Sequence, residues 1–123
     1  MSLLRQVETE ARHGMSVGDT TGTTAAEVVA TPAAGFVRVV RSLRVHQRDT
    51  VASTIRLSLF DGTSTYVEID SATKAAGEIH RVLTEGEVIH LPEGYSLTVL
   101  LDATVTTAEP AFVAAWTDVP LPA

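Results

Sequence analysis

Apolar residues recur at every second position along most of this chain, the mark of strands that bury one face and solvate the other. The pattern is clearest from Gly86 to Leu101. Val88, Ile89 and Leu91 form one run, Pro92, Glu93 and Gly94 a turn, and Tyr95, Leu97, Val99 and Leu101 alternate along a second run. Pro92 presets the backbone for a turn corner and Gly94 supplies the positive φ that such a corner often needs, so the stretch is expected to be a hairpin. Residues 36–47 read as a long strand in which Val37, Val39, Leu43 and Val45 alternate, with Arg41 interrupting that face and Val40 on the other. One slip of phase in a regular alternation predicts a β-bulge near Val40 and Arg41.

Further strands are expected over residues 25–30, 51–60, 64–69, 78–83 and 111–119. Val51, Ile55, Leu57 and Leu59 would face inward along the 51–60 strand, and Asp61-Gly62 after it is a strong hairpin signal. Phe112, Ala114 and Trp116 share one face of the last strand, which Pro120 and Pro122 bring to an end. About eight short strands, closely spaced turns and no crossover helices predict an all-β fold, an antiparallel β-sandwich or jelly roll.

The beginning of the chain follows another rhythm. Residues 2–13 fit a short amphipathic helix, with Leu3, Val7 and Ala11 at i, i+4 and i+8, Leu4 widening the stripe and Gly14 as a C-cap. So short a helix is marginal alone and needs a surface to lie on. Residues 14–24 are a Gly/Thr-rich connector without period. The expected organisation is therefore an arm and linker over 1–24 and a β-sandwich domain over 25–123.

Composition narrows the function classes. The chain has 123 residues, 45% of them hydrophobic and 20% charged, which suits one ordinary globular domain. It carries no cysteine, so neither a disulfide framework nor a thiolate site is available. The net charge of -6 runs against nucleic-acid binding, and no apolar stretch is long enough for a membrane helix. Charge also appears too early after Met1 for a secretory leader. The expectation is a protein without nucleic-acid or membrane partners.

Candidate chemistry is sparse. Gly86, Pro92 and Gly94 match the spacing of one half of the cupin signature, but Leu97 stands where that signature needs a metal-binding histidine. His80 and His90 could meet across paired strands, yet no third ligand is spaced to join them and His13 or His46. Gly14-Met-Ser-Val-Gly18 matches the string of a nucleophile elbow but lacks the strand and helix that build one. Glu85, Glu87 and Glu93 cluster near one end of the 86–101 stretch, as a solvated acidic loop would. No catalytic, cofactor-binding or metal-ligating residue is expected, and the protein is expected not to be an enzyme. Arg38, Arg44 and His46 share the even positions of the long strand and would form a basic stripe that docks on acidic neighbours. With Leu3, Leu4 and Val7 of the arm they are the candidate interface residues.

Three stretches taken together, Val37 to Val45, Ser53 to Gly62 and Leu91 to Leu97, followed by the closing run Ala111 to Asp118, resemble small structural proteins of tailed bacteriophage particles. That resemblance covers roughly residues 36–119 in pattern. It implies a β-sandwich virion subunit, assembled in the host cytoplasm and acting through protein–protein contacts. A capsid decoration (cement) protein is the foremost role, with a head–tail or tail component or a carbohydrate-binding sandwich module as alternatives. The implied partners are copies of itself, in a small symmetric oligomer such as a trimer, and the major capsid or other virion proteins. The family brings no cofactor and no site residues.

Overall fold

The computed structural model describes residues 11–122. Nine strands appear in chain order: β1 (Arg12–Asp19), β2 (Ala26–Val29), β3 (Phe36–His46), β4 (Ser53–Phe60), β5 (Tyr66–Lys74), β6 (Ile79–Arg81), β7 (Ile89–Leu91), β8 (Ser96–Leu101) and β9 (Ala111–Pro120). All pairings are antiparallel, and the described residues contain no helix. One sheet runs β1-β9-β3-β6, with β7 also on the far side of β3; the other runs β2-β8-β4-β5. This is the all-β, two-sheet sandwich that the alternating pattern predicts.

The core is what that alternation buries. Val40, Leu43 and Val45 of β3, with Phe112 and Ala114 of β9, meet Ile55 and Leu57 of β4 and Leu97, Val99 and Leu101 of β8, all essentially excluded from solvent. The predicted bulge is present: Val40 pairs with Trp116 but Ser42 with Ala115, leaving Arg41 as the extra residue. The 61–65 turn joins β4 to β5 as a hairpin, closed by the Asp61 N–H donating to the Thr65 carbonyl at 3.2 Å.

Three expectations are corrected. The 86–101 stretch is not a hairpin, because β7 pairs with β3 in one sheet while β8 pairs with β2 and β4 in the other. Pro92 to Tyr95 is a corner carrying the chain between sheets; the Tyr95 N–H reaches the Pro92 carbonyl at 3.2 Å, and Gly94 has φ 90. Second, residues 12–19 are strand, not helix end and connector. They pair with β9 in register from Arg12↔Asp118 to Asp19↔Ala111, so the sandwich begins well before residue 25. The rest of the expected helix, residues 1–10, lies outside the described residues. Third, Val51 precedes β4 in an exposed loop and does not face inward.

Residues 14–19 look like connector in sequence because the inward positions of β1 are Gly14, Ser16 and Gly18, which carry no hydrophobic signal. Each is small for a reason of packing. A Cβ on Gly14 would stand 2.6 Å from the Trp116 ring, and one on Gly18 would stand 3.1 Å from Phe112. The Ser16 hydroxyl donates to the Val28 carbonyl and so joins the first sheet to the second along this edge.

At the end of the sandwich where β3 leads to β4, Asp49 ties two distant loops together. Its carboxylate accepts from the N–H groups of Thr106 (2.9 Å), Thr107 (2.8 Å) and Thr50 (2.8 Å). The bond from Thr106, then those from Thr107 and Thr50, hold its pKa below the ordinary aspartate range. Asp61, through Thr63, and Asp102, through Thr54, are lowered by the same kind of bond.

Gly14→Ala is expected to cost about 1–3 kcal/mol by overpacking against Trp116, and Gly18→Ala to cost less, as read by urea unfolding. Acid sensitivity follows from the carboxylates. Their pKa values are lower in the folded than in the unfolded chain, so their contribution is complete above the unfolded value of about 4 and fades as pH falls through it. Thermal melts should therefore hold level from neutral pH to about 5 and drop below about 4, with a shallower drop in Asp49→Asn.

Candidate interaction surface

The extra residue at Arg41 decides which side chains of β3 reach the outside. Before it, Phe36, Arg38 and Val40 lie on the inner face opposite Pro120, Asp118 and Trp116; after it, Leu43 and Val45 do. Arg44 and His46 consequently point away from the core, and Arg38 does not. The expected single stripe of Arg38, Arg44 and His46 is thus split by the bulge.

Arg38 is engaged within the chain. Its Nε and Nη2 donate to the two carboxylate oxygens of Asp118 at 2.8 and 2.9 Å, and its Nη1 donates to the Ala30 carbonyl beyond β2 at 2.8 Å. The guanidinium also lies over Trp116, 4.4 Å from the ring centroid. Both charged side chains are close to nine-tenths buried, at 12% and 13% exposure. This arrangement fastens one end of the sandwich.

Arg44 and His46 belong to a different surface, the outer face of the first sheet. The strand registers set it out in rows across β1, β9, β3 and β6. One row reads Val17, Val113, Arg44, Arg81; the next reads Asp19, Ala111, His46, Ile79. Met15 and Ala115 begin a third row on the other side. Met15, Val17 and Val113 are 66%, 68% and 41% exposed and adjoin one another on this face, while Ile79, 48% exposed, lies beyond Arg44 and His46 on β6. A recess of about 330 Å³ opens between Arg44, His46, Ile79, Ala111 and Val113.

The charges on this face are unbalanced. Arg44 and Arg81 stand directly opposite each other in the β3–β6 pair, on the same side. Like charges so placed repel. Among the described residues no carboxylate lies within ion-pair distance of Arg41, Arg44 or Arg81, whereas Arg48 and Arg56 are paired with Asp19 and Glu68. Among the described residues no strand pairs with the outer side of β1, and between Arg12 and Asp19 it carries Met15 and Val17 but no charge, Pro or bulge to discourage a further strand.

The other candidates are dispersed. His80 and His90 do not meet, because β6 and β7 flank different parts of β3. His80 turns inward, with Nε2 2.6 Å from Asp70 Oδ2 on β5, which links the sheets at the edge opposite Ser16. His13 Nδ1 lies 3.0 Å from Thr117 Oγ1. No group of three metal-ligating side chains forms among the described residues. Gly14 to Gly18 lies in β1 with Ser16 bonded to backbone, so no nucleophile elbow exists there. Glu87 is occupied by the backbone and hydroxyl of Thr84, whose hydroxyl bond holds its pKa below the usual glutamate range. Leu3, Leu4 and Val7 lie outside the described residues.

Sequence reasoning passed over Met15, Val17, Ile79, Arg81 and Val113. The first two alternate, but around glycines and a serine; the others became visible as one surface only through the register of four strands.

No family model and no curated protein matches the chain. Among solved structures, a chain from Bacillus endospore appendages, described as a novel family of disulfide-linked pili, is similar with a TM-score of 0.53. Identity is 16%, over 91% of this chain and 89% of that one. The likeness is one of fold. A disulfide of the kind named there cannot be made from this sequence, which has no cysteine.

Asp118→Ala would leave Arg38 enclosed without its carboxylate. A loss of about 3 kcal/mol is expected, with altered emission from Trp116, the single tryptophan, in denaturant titrations followed by fluorescence.

Proposed function

We propose that this protein is a structural subunit that works through protein–protein contacts in an assembly containing many copies of itself. The observation that carries the reading is the outer face of the first sheet. Exposed apolar residues beside two facing arginines that have no counter-ion among the described residues are unfavourable in an isolated monomer and suit a contact surface. The β1 edge, unpaired among the described residues, supports the same reading, as does the fold likeness to a subunit from a pilus-like appendage.

At finer grain, the sequence pattern favours a place on a tailed-phage particle, foremost as a capsid decoration subunit and otherwise as a head–tail or tail component. The fold likeness favours a second reading, a self-assembling appendage subunit. Both require contacts and neither assigns the chain a catalytic step, a metal or a cofactor.

Light scattering of the purified full chain over a wide concentration range tests the reading, with electron microscopy of the same samples and co-sedimentation with empty phage heads. The expected outcome is a mass of several copies. Fixed-stoichiometry binding to heads supports the virion role, and regular polymers without heads support the appendage role. A strict monomer at every concentration that ignores the heads would overturn the proposal.

A further inference from the structure

We infer that the outer face of the first sheet receives residues 3–10 of a second copy of this chain. The inference rests on the self-assembly reading above and names its contact. The face has two chemical demands: an apolar cover for Met15, Val17, Val113 and Ile79, and negative charge beside Arg44 and Arg81. The segment preceding β1 supplies both. Leu3, Leu4 and Val7 are its apolar side chains, and Glu8 and Glu10 follow within three residues, with Arg5 as its single cation.

Arg44 and Arg81 make the charge argument more than a matter of net sign. They sit side by side on adjacent strands, and a carboxylate placed between them would relieve their repulsion while gaining two attractions. Val113 and Ile79 border the same recess, so an apolar side chain from the segment can enter it next to the ion pairs.

Geometry favours a neighbour over the chain's own arm. The segment joins β1 at Arg12, whereas the Val17–Arg81 row lies five residues further along that strand, about 17 Å away. To cover its own face the chain would have to reverse between Glu8 and Arg12. That stretch, Glu8-Thr9-Glu10-Ala11-Arg12, has no Gly, Pro, Asn or Asp to make such a turn.

The absence of native cysteine makes a cross-linking test unambiguous. The full chain carrying Leu4→Cys together with Val113→Cys is treated with diamide and run on a non-reducing gel. A ladder of covalent multimers is expected, with each single variant giving nothing beyond a dimer. Adding Arg44→Glu should cut the ladder by about tenfold, since an attraction becomes a repulsion. Ile79→Cys replaces Val113→Cys as an independent check, and circular dichroism of the reduced proteins confirms that each variant keeps its strands.

A double variant that stays monomeric, or that closes a disulfide within one chain, overturns the inference. If the cysteine-free parent assembles in light scattering while no ladder forms, the structural role stands and this contact alone is wrong. If the parent is monomeric at every concentration, this contact falls, and the structural role falls with it where the chain also ignores the heads.

Discussion

The single extra residue in β3 is the constraint on which the rest of the structure turns. A strand has a period of two, so one inserted residue exchanges the inner and outer faces of everything beyond it. With Arg41 standing out of register, Val40 can face the core together with Leu43 and Val45, three residues that a regular strand would divide between its faces. The same shift puts Arg38 inside and Arg44 outside. It also falls where the far edge of β3 changes partner, from β7 alongside Arg38–Val40 to β6 alongside Arg44–His46. Core, end clamp and outer surface therefore share one cause.

Polar contacts finish what the apolar core begins. The core fills the middle of the sandwich, but its margins are fastened by Ser16 to Val28 on one edge, by His80 to Asp70 on the other, and by Arg38 to Asp118 and Ala30 at one end. These are unequal in weight. The exposed pairs Arg48–Asp19 and Arg56–Glu68 are screened by water and contribute roughly 0–1 kcal/mol each. Arg38 and Asp118 are largely removed from water, and their desolvation is offset by two parallel hydrogen bonds, a third to a backbone carbonyl and the face of Trp116. The bridge is thus less a source of net stability than a condition for closing that end without an orphaned charge.

Much of this was legible in the sequence wherever the inner positions are large. Leu43, Val45, Ile55, Leu57, Leu97 and Val99 announced their strands by alternation, and the bulge showed as a slip in that alternation. β1 was hidden because the side chains above it, Trp116 and Phe112, occupy the space its own would need, so glycine stands where a hydrophobe would give the signal. The corner at Pro92–Tyr95 was misjudged for another reason. A turn between two alternating runs looks alike whether it joins strands of one sheet or passes between sheets, since turn chemistry is local and sheet membership is not. The outer surface was half legible: Arg44 and His46 could be placed on one strand, but Arg81, Ile79 and Val113 join them only through pairing between distant segments.

Symmetry constrains how such a face can be used. In a two-fold contact the same patch meets itself, which here would bring the Arg44–Arg81 pair of one copy toward that of the other. Repulsion of that kind disfavours a face-to-face dimer. A contact in which the cationic, apolar face of one copy meets an acidic, apolar segment of the next is heterologous. Such a contact leaves one face unfilled and one segment unplaced at every step of addition. It ends only if the rotation between neighbours closes a ring, as in a trimer, and otherwise continues into a helical polymer. The angle at which successive copies meet therefore decides between a closed ring and a helical polymer.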